Sequence, residues 1–203
     1  LTKLGYQAEF YKPPIADELL RQLKPVSDEW LKMVEGSEKK FSLGWFDEVY
    51  LRESEIAVVH NPEGQVIAFA NILSEYQLNE VTNDMMRHRQ SIENGTMDFL
   101  FTSLLQHYKE LGYDSFNFGL SALAGVGETP ESRRLEKVLH YLYEHLNRFY
   151  NFQGVHAYKE KFRPSWEPRY LVYPSFTALP EVIVALIRAD SGDRLLDYFK
   201  PGA

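Results

Sequence analysis

The stretch from Glu55 to Leu73 constrains this chain most. Glu55 to His60, EIAVVH, is by composition a buried strand. Asn61-Pro62-Glu63-Gly64 then marks a tight turn. Proline presets φ, glycine accepts positive φ, and asparagine can bond its own backbone. Gln65 to Leu73 is the returning strand. Two apolar runs joined by such a turn make an antiparallel hairpin, and the other elements must be arranged around it.

On the N-terminal side, Pro13-Pro14 opens a helical pattern with Ile15, Leu19, Leu20 and Leu23 on one face. Pro25 is expected to end that helix, and Ser27 to cap a second one through Trp30, Leu31 and Val34. GSEKK at 36–40 reads as a loop. FSLGWF at 41–46 reads equally as a strand edge or a binding loop. Beyond the hairpin, EVTNDMMRHR at 80–89 predicts a strand entering an irregular segment.

Asn94 to Leu111 has the strongest helical period, with Met97, Leu100, Phe101, Leu104, Leu105 and Tyr108 as its stripe. Asn94 is the expected cap and Gly112 the stop. Ser115 to Gly119 follows as a buried strand, and Gly119, Gly125 and Gly127 punctuate the loop after it. Thr129-Pro130 should start a helix running to about Asn147. A short helix over Val155 to Phe162, a turn at Pro164, and a strand from Arg169 to Tyr173 are expected next. Glu181 to Arg188 is a short apolar helix. The order predicts an α/β fold with a mixed sheet, in one domain over residues 1–203.

Composition narrows the function. The formal net charge is −7, which argues against a generic nucleic-acid binder. Its distribution is uneven: residues 1–132 hold 11 Lys/Arg against 21 Asp/Glu, while residues 133–169 hold 8 against 4. A phosphate-bearing partner can therefore be met locally. The basic residues concentrate around FYNFQGVHAYKEKFRPSWEPRY at 149–170, which combines seven aromatics with His156, Lys159, Lys161, Arg163 and Arg169. Aromatics near prolines also close ordinary cores, so composition alone does not make this a site.

With no cysteine, disulfides, thiolate metal sites and cysteine nucleophiles are excluded. The six histidines form neither His-x-x-x-His nor HExxH, so a metal site is not expected. There is no Gly-x-Ser-x-Gly elbow. FNFGLSALAGVG at 116–127 is neither a Walker loop nor a dinucleotide fingerprint. No apolar run approaches the roughly 20 residues that span a bilayer, and LTKLGYQAEF reads as a chain entered mid-way. Asp84 and Arg87 stand three apart. On a helical turn they share a face and can pair; on a strand they point to opposite sides.

SDEWL (27–31), FSLGWFDEVYL (41–51), IAVVHNPEGQVIAFANIL (56–73), DMMRHR (84–89), NGTMDFLF (94–101), FNFGLSALAGV (116–126) and FYNFQGVHAYKEKFRPSWEPRYL (149–171) together resemble the C-terminal catalytic region of the aminoacyl-phosphatidylglycerol synthases, the multiple peptide resistance factor family. The resemblance implies a GNAT-like acyltransferase fold, a mixed and mostly antiparallel sheet flanked by helices. It would be the second of a tandem pair that follows transmembrane helices, at the cytoplasmic face of the bacterial membrane. It implies transfer of an aminoacyl group, lysyl being expected, from aminoacyl-tRNA to a hydroxyl of phosphatidylglycerol, and so resistance to cationic antimicrobial peptides. It implies neither metal nor coenzyme.

By the same resemblance Asp84 and Arg87 match an Asp-x-x-Arg pair, and Lys159, Lys161 and Arg169 a Lys-x-Lys-Phe…Pro-Arg-Tyr motif. Asp84, Arg87, Lys159 and Lys161 are then the expected catalytic residues. Arg169, Glu144, Gly119, Tyr158 and Trp166 are the expected substrate-binding ones. One departure is Leu146-Asn147-Arg148, where related sequences often carry Gly-Glu-His; Glu144 is the substitute for the missing acid. The alternatives are a tRNA- or lipid-binding half that needs the first fold, and a coenzyme A-dependent acetyltransferase. The latter usually shows a Gln/Arg-x-x-Gly-x-Gly/Ala loop, absent here.

Overall fold

A computed structural model describes residues 1–33, 44–132, 134–145 and 152–191 of the 203. The chain divides into two compact units, residues 1–119 and 120–203. In the first, β1 (Gln7–Tyr11), α1 (Asp17–Met33), α2 (Glu48–Arg52), β2 (Glu55–His60), β3 (Val66–Ser74), β4 (Glu80–His88), α3 (Thr96–Glu110) and β5 (Ser115–Asn117) follow one another. They build a five-stranded sheet in the order β1-β2-β3-β4-β5.

The hairpin forms as read. β2 and β3 pair antiparallel, the Asn61 amide donates to the Gln65 carbonyl at 3.0 Å, and the Gln65 amide donates to Asn61 Oδ1 at 2.8 Å. Alternate residues of β2 then face two separate cores. Ile56 and Val58 join Ile15, Leu19, Leu20, Leu23, Val26, Leu51, Phe69 and Met85 on the α1 side. Ala57 and Val59 join Leu100, Leu104 and Tyr108 on the α3 side. Covering both faces is what allows these strands to be almost wholly apolar. β4 and β5 are parallel, so they need a crossover, and α3 supplies it. The result is the expected fold class: a mixed, mostly antiparallel, GNAT-like sheet flanked by helices.

Several local expectations are corrected. Pro25 does not end a helix: α1 runs through it to Met33, and Ser27 is a buried interior residue rather than a cap. A mid-helix proline costs about 3 kcal/mol. Leu23 and Val26 are both fully buried beside it, and burying each such side chain is worth about 1.5–3 kcal/mol. The stripe outweighs the lost hydrogen bond. Next, the cap of α3 is Gly95 at φ 83°, one residue beyond Asn94. β4 is one continuous strand to His88 rather than a strand entering an irregular segment; the irregularity is a bulge within it.

The second unit contains α4 (Arg134–His145), α5 (Phe152–Glu160) and α6 (Leu179–Ser191). α4 starts later than Thr129-Pro130, which form a turn closed by the Ser132 amide on the Thr129 carbonyl. The expected strand from Arg169 to Tyr173 is absent. Tyr170 and Val172 are 82% and 88% exposed. Leu146-Asn147-Arg148 and residues 34–43, which include the GSEKK loop, lie outside the described residues.

Candidate functional site

The bulge decides where Asp84 points. Ala70 pairs with Met86 and Ile72 with Asn83, leaving Asp84 and Met85 together opposite Asn71. Two residues against one is the signature of a bulge, which re-aims side chains. The Met85 amide donates to Asn71 Oδ1 at 2.8 Å. Asn71 Nδ2 donates to the Tyr50 hydroxyl at 3.1 Å, and that hydroxyl donates to Asp84 Oδ2 at 2.6 Å. The Gly44 amide donates to Asp84 Oδ1 at 2.8 Å. Burial, and then the bond to Asp84, push the Tyr50 hydroxyl well above the usual phenol range, so it remains protonated.

Arg87 lies on the same side of the sheet. It is only 3% exposed, donates to Ser27 Oγ, and stacks its guanidinium 5.2 Å from the centroid of Trp30. Although they share a face, Asp84 and Arg87 do not pair. The carboxylate's partners among the described residues are Gly44 and Tyr50, and Arg87 is turned to α1. The opposite-sides rule for strand residues three apart fails here because the bulge adds a residue. Gly119, the third expected residue in this unit, has φ 72° and donates its amide to Asn117 Oδ1 at 2.8 Å.

In the second unit, Tyr158, Lys159 and Lys161 lie on or just past α5. Lys159 Nζ donates to the Leu120 carbonyl at 2.9 Å, and burial holds its pKa below the ordinary lysine value. Lys161 Nζ stands 4.9 Å from the centre of the Tyr158 ring. The two ammonium groups therefore have different neighbours.

Arg163, at φ 50°, reverses the chain after α5. Trp166 folds back, donating its indole N–H to Glu160 and lying 4.7 Å from the His156 ring. His156 Nδ1 is 3.2 Å from Ser121 Oγ. Arg169 pairs with Glu167 at 3.1 Å and is exposed. The side chain of Glu144, on α4, lies outside the described residues. Among the described residues no group of three or more His, Asp and Glu could hold a metal ion.

Sequence reasoning missed Gly44, Tyr50, Asn71, Ser27 and Trp30 in the first unit, and Ser121, His156 and Glu160 in the second. A signal existed for one of them: an asparagine inside the apolar run AFANIL needs a purpose when buried.

The sheet, with a partly buried carboxylate at the bulge of β4, defines an α/β domain of GNAT-like fold. The family model described as "Phosphatidylglycerol lysyltransferase, C-terminal" matches residues 1–173. The chain belongs to that family. It is 39% identical over 179 residues to a phosphatidylglycerol lysyltransferase of Staphylococcus xylosus, covering 88% of this chain and 21% of the relative. It is 42% identical over 161 residues to the Bacillus subtilis enzyme of that name, covering 79% and 19%. The structure of L-PGS from Bacillus licheniformis superposes with a TM-score of 0.78 at 38% identity, covering 96% of this chain and 58% of that one. The chain thus spans about a fifth of the length of these curated relatives.

Proposed function

We propose that this chain is the acyl-transferring part of a phosphatidylglycerol lysyltransferase, moving a lysyl group from lysyl-tRNA to a hydroxyl of phosphatidylglycerol. The observation that carries this reading is the family match over residues 1–173, which spans every candidate site residue. The reaction asks little of the protein chemically. The lipid hydroxyl oxygen adds to the ester carbonyl carbon and loses its proton; the oxyanion collapses, the bond to the tRNA ribose oxygen breaks, and that oxygen takes up a proton. Orientation, proton removal and oxyanion stabilisation are the demands.

Lys159, Lys161 and Arg169 meet the lipid phosphate or the terminal phosphate of the tRNA, and Tyr158, Trp166, Gly119 and Glu144 complete the substrate contacts. Asp84 meets the donor. Arg87, buried against α1, acts by positioning this part of β4 rather than by reaching the acyl group. The lipid product is less anionic, which weakens binding of cationic antimicrobial peptides. The working protein would sit at the cytoplasmic face of the membrane, beside an N-terminal GNAT-like domain and transmembrane helices. Among the described residues no helix here is long and apolar enough to cross a membrane.

The share of the relatives that the chain spans, about a fifth, favours a second reading: binding of tRNA or lipid with chemistry completed by the remainder. Radiolabelled lysyl-tRNA and phosphatidylglycerol vesicles, incubated with this chain and with the chain extended to its relatives' length, separate the two. The first reading predicts labelled lipid from both proteins. Label only from the longer protein, with lysyl-tRNA still bound by the shorter one, supports the second. Tight acetyl-CoA binding with no labelled lipid from either would overturn both.

A further inference from the structure

We propose that Gly44, Tyr50 and Asn71 are positioning residues that hold the Asp84 carboxylate ready for a primary ammonium group of the acyl donor. This rests on the lysyl-transfer reading for the ligand's identity, but the clasp itself rests on geometry.

Both carboxylate oxygens are engaged, and by neutral donors only: the Gly44 amide at 2.8 Å and the Tyr50 hydroxyl at 2.6 Å. Each oxygen keeps a further lone pair. Among the described residues the carboxylate has no cationic partner. A partly buried carboxylate held by neutral donors alone is complementary to a cation brought from outside.

The direction of each proton is fixed. The Met85 amide can only donate, so Asn71 presents its oxygen to it and its NH2 to Tyr50. Tyr50 accepts from Asn71 and must spend its single proton on Asp84. Asn71 is fully buried, so its bond with the Met85 amide is shielded from competing water.

The approach of Gly44 is equally specific. A Cβ built there would fall inside the Asp84 carboxylate and within 3.1 Å of the Tyr50 ring. Only glycine brings its amide this close. The segment is anchored from beneath, where Phe46 meets Phe69 edge-on with centroids 6.4 Å apart. Asp47 caps α2 by accepting from the Tyr50 amide at 2.8 Å, and Ser54 Oγ donates to the Tyr50 carbonyl at 2.9 Å. Gly44, from the segment that the sequence left undecided, thus closes against the Asp84 carboxylate.

The test uses the whole chain with L-lysinamide as probe, titrated by NMR on the Asp84 side-chain carboxyl carbon. The wild type should show a saturable shift. Asp84→Asn should abolish binding, and Tyr50→Phe and Gly44→Ala should each weaken it at least tenfold. Because these residues act through Asp84, Gly44→Ala should change nothing further in lysyl-transfer rate on the Asp84→Asn background. Should Gly44→Ala fail to fold, Tyr50→Phe, which removes one oxygen, carries the test alone. Unchanged probe affinity in Tyr50→Phe, or a full additive loss in the double variant, overturns the proposal. Probe binding that depends on Asp84 and Tyr50 in a protein that transfers no lysyl group would retain the ammonium site and discard only the transfer reading.

Discussion

At the scale of single residues, two charges set the terms. Arg87 is buried with its guanidinium on Ser27 and Trp30. Arg87→Ala leaves the Ser27 hydroxyl buried beside a void, so it should cost about 1–3 kcal/mol in urea unfolding. Lys159 behaves differently. Its folded pKa is depressed by burial while its unfolded value is ordinary, so the folded state binds fewer protons between the two. Stability from this group is therefore lost as pH falls through the folded pKa and regained above it. Lys159→Met should unfold at a higher temperature than wild type near neutrality. That gap should narrow steadily as pH is raised toward the ordinary lysine pKa, in a calorimetric pH series.

Among the elements, α3 and β4 carry the architecture. Leu104 is fully buried on the α3 side of the sheet. Leu104→Ala should cost about 2–5 kcal/mol by denaturant titration. Asn71→Ala at the bulge should cost about 1–3 kcal/mol, because it strands the buried Met85 amide and removes the bond that the Tyr50 hydroxyl accepts. These elements differ in how plainly they could be read beforehand. The hairpin and the α3 stripe follow from period and turn chemistry, which are local. The continuity of α1 through Pro25 depends on the sheet beneath it. The bulge depends on which residues of β3 face β4, a non-local fact. Asp84 and Arg87 stand out in sequence, but Gly44, which grips Asp84, is forty residues away and belongs to a segment with no period. The strand expected after the turn at Pro164 rests on local proline geometry alone, and the segment does not form it.

For the whole molecule, sequence motifs in order identify the family, whose model matches residues 1–173, and a solved relative superposes with a TM-score of 0.78. The acidic surface with a basic stretch at 133–169 suits partners that carry phosphate. Transfer should therefore weaken with salt. Raising salt severalfold should lower the apparent affinity for lysyl-tRNA while leaving the probe-binding site of Asp84 far less affected, since a close, partly buried contact is screened less.

The account stands most directly on one rate: single-turnover movement of labelled lysine from tRNA into phosphatidylglycerol, by wild type and by Asp84→Asn of matched thermal stability. A fall of about a hundredfold or more in the variant is the predicted result. Equal rates in the two proteins would contradict it.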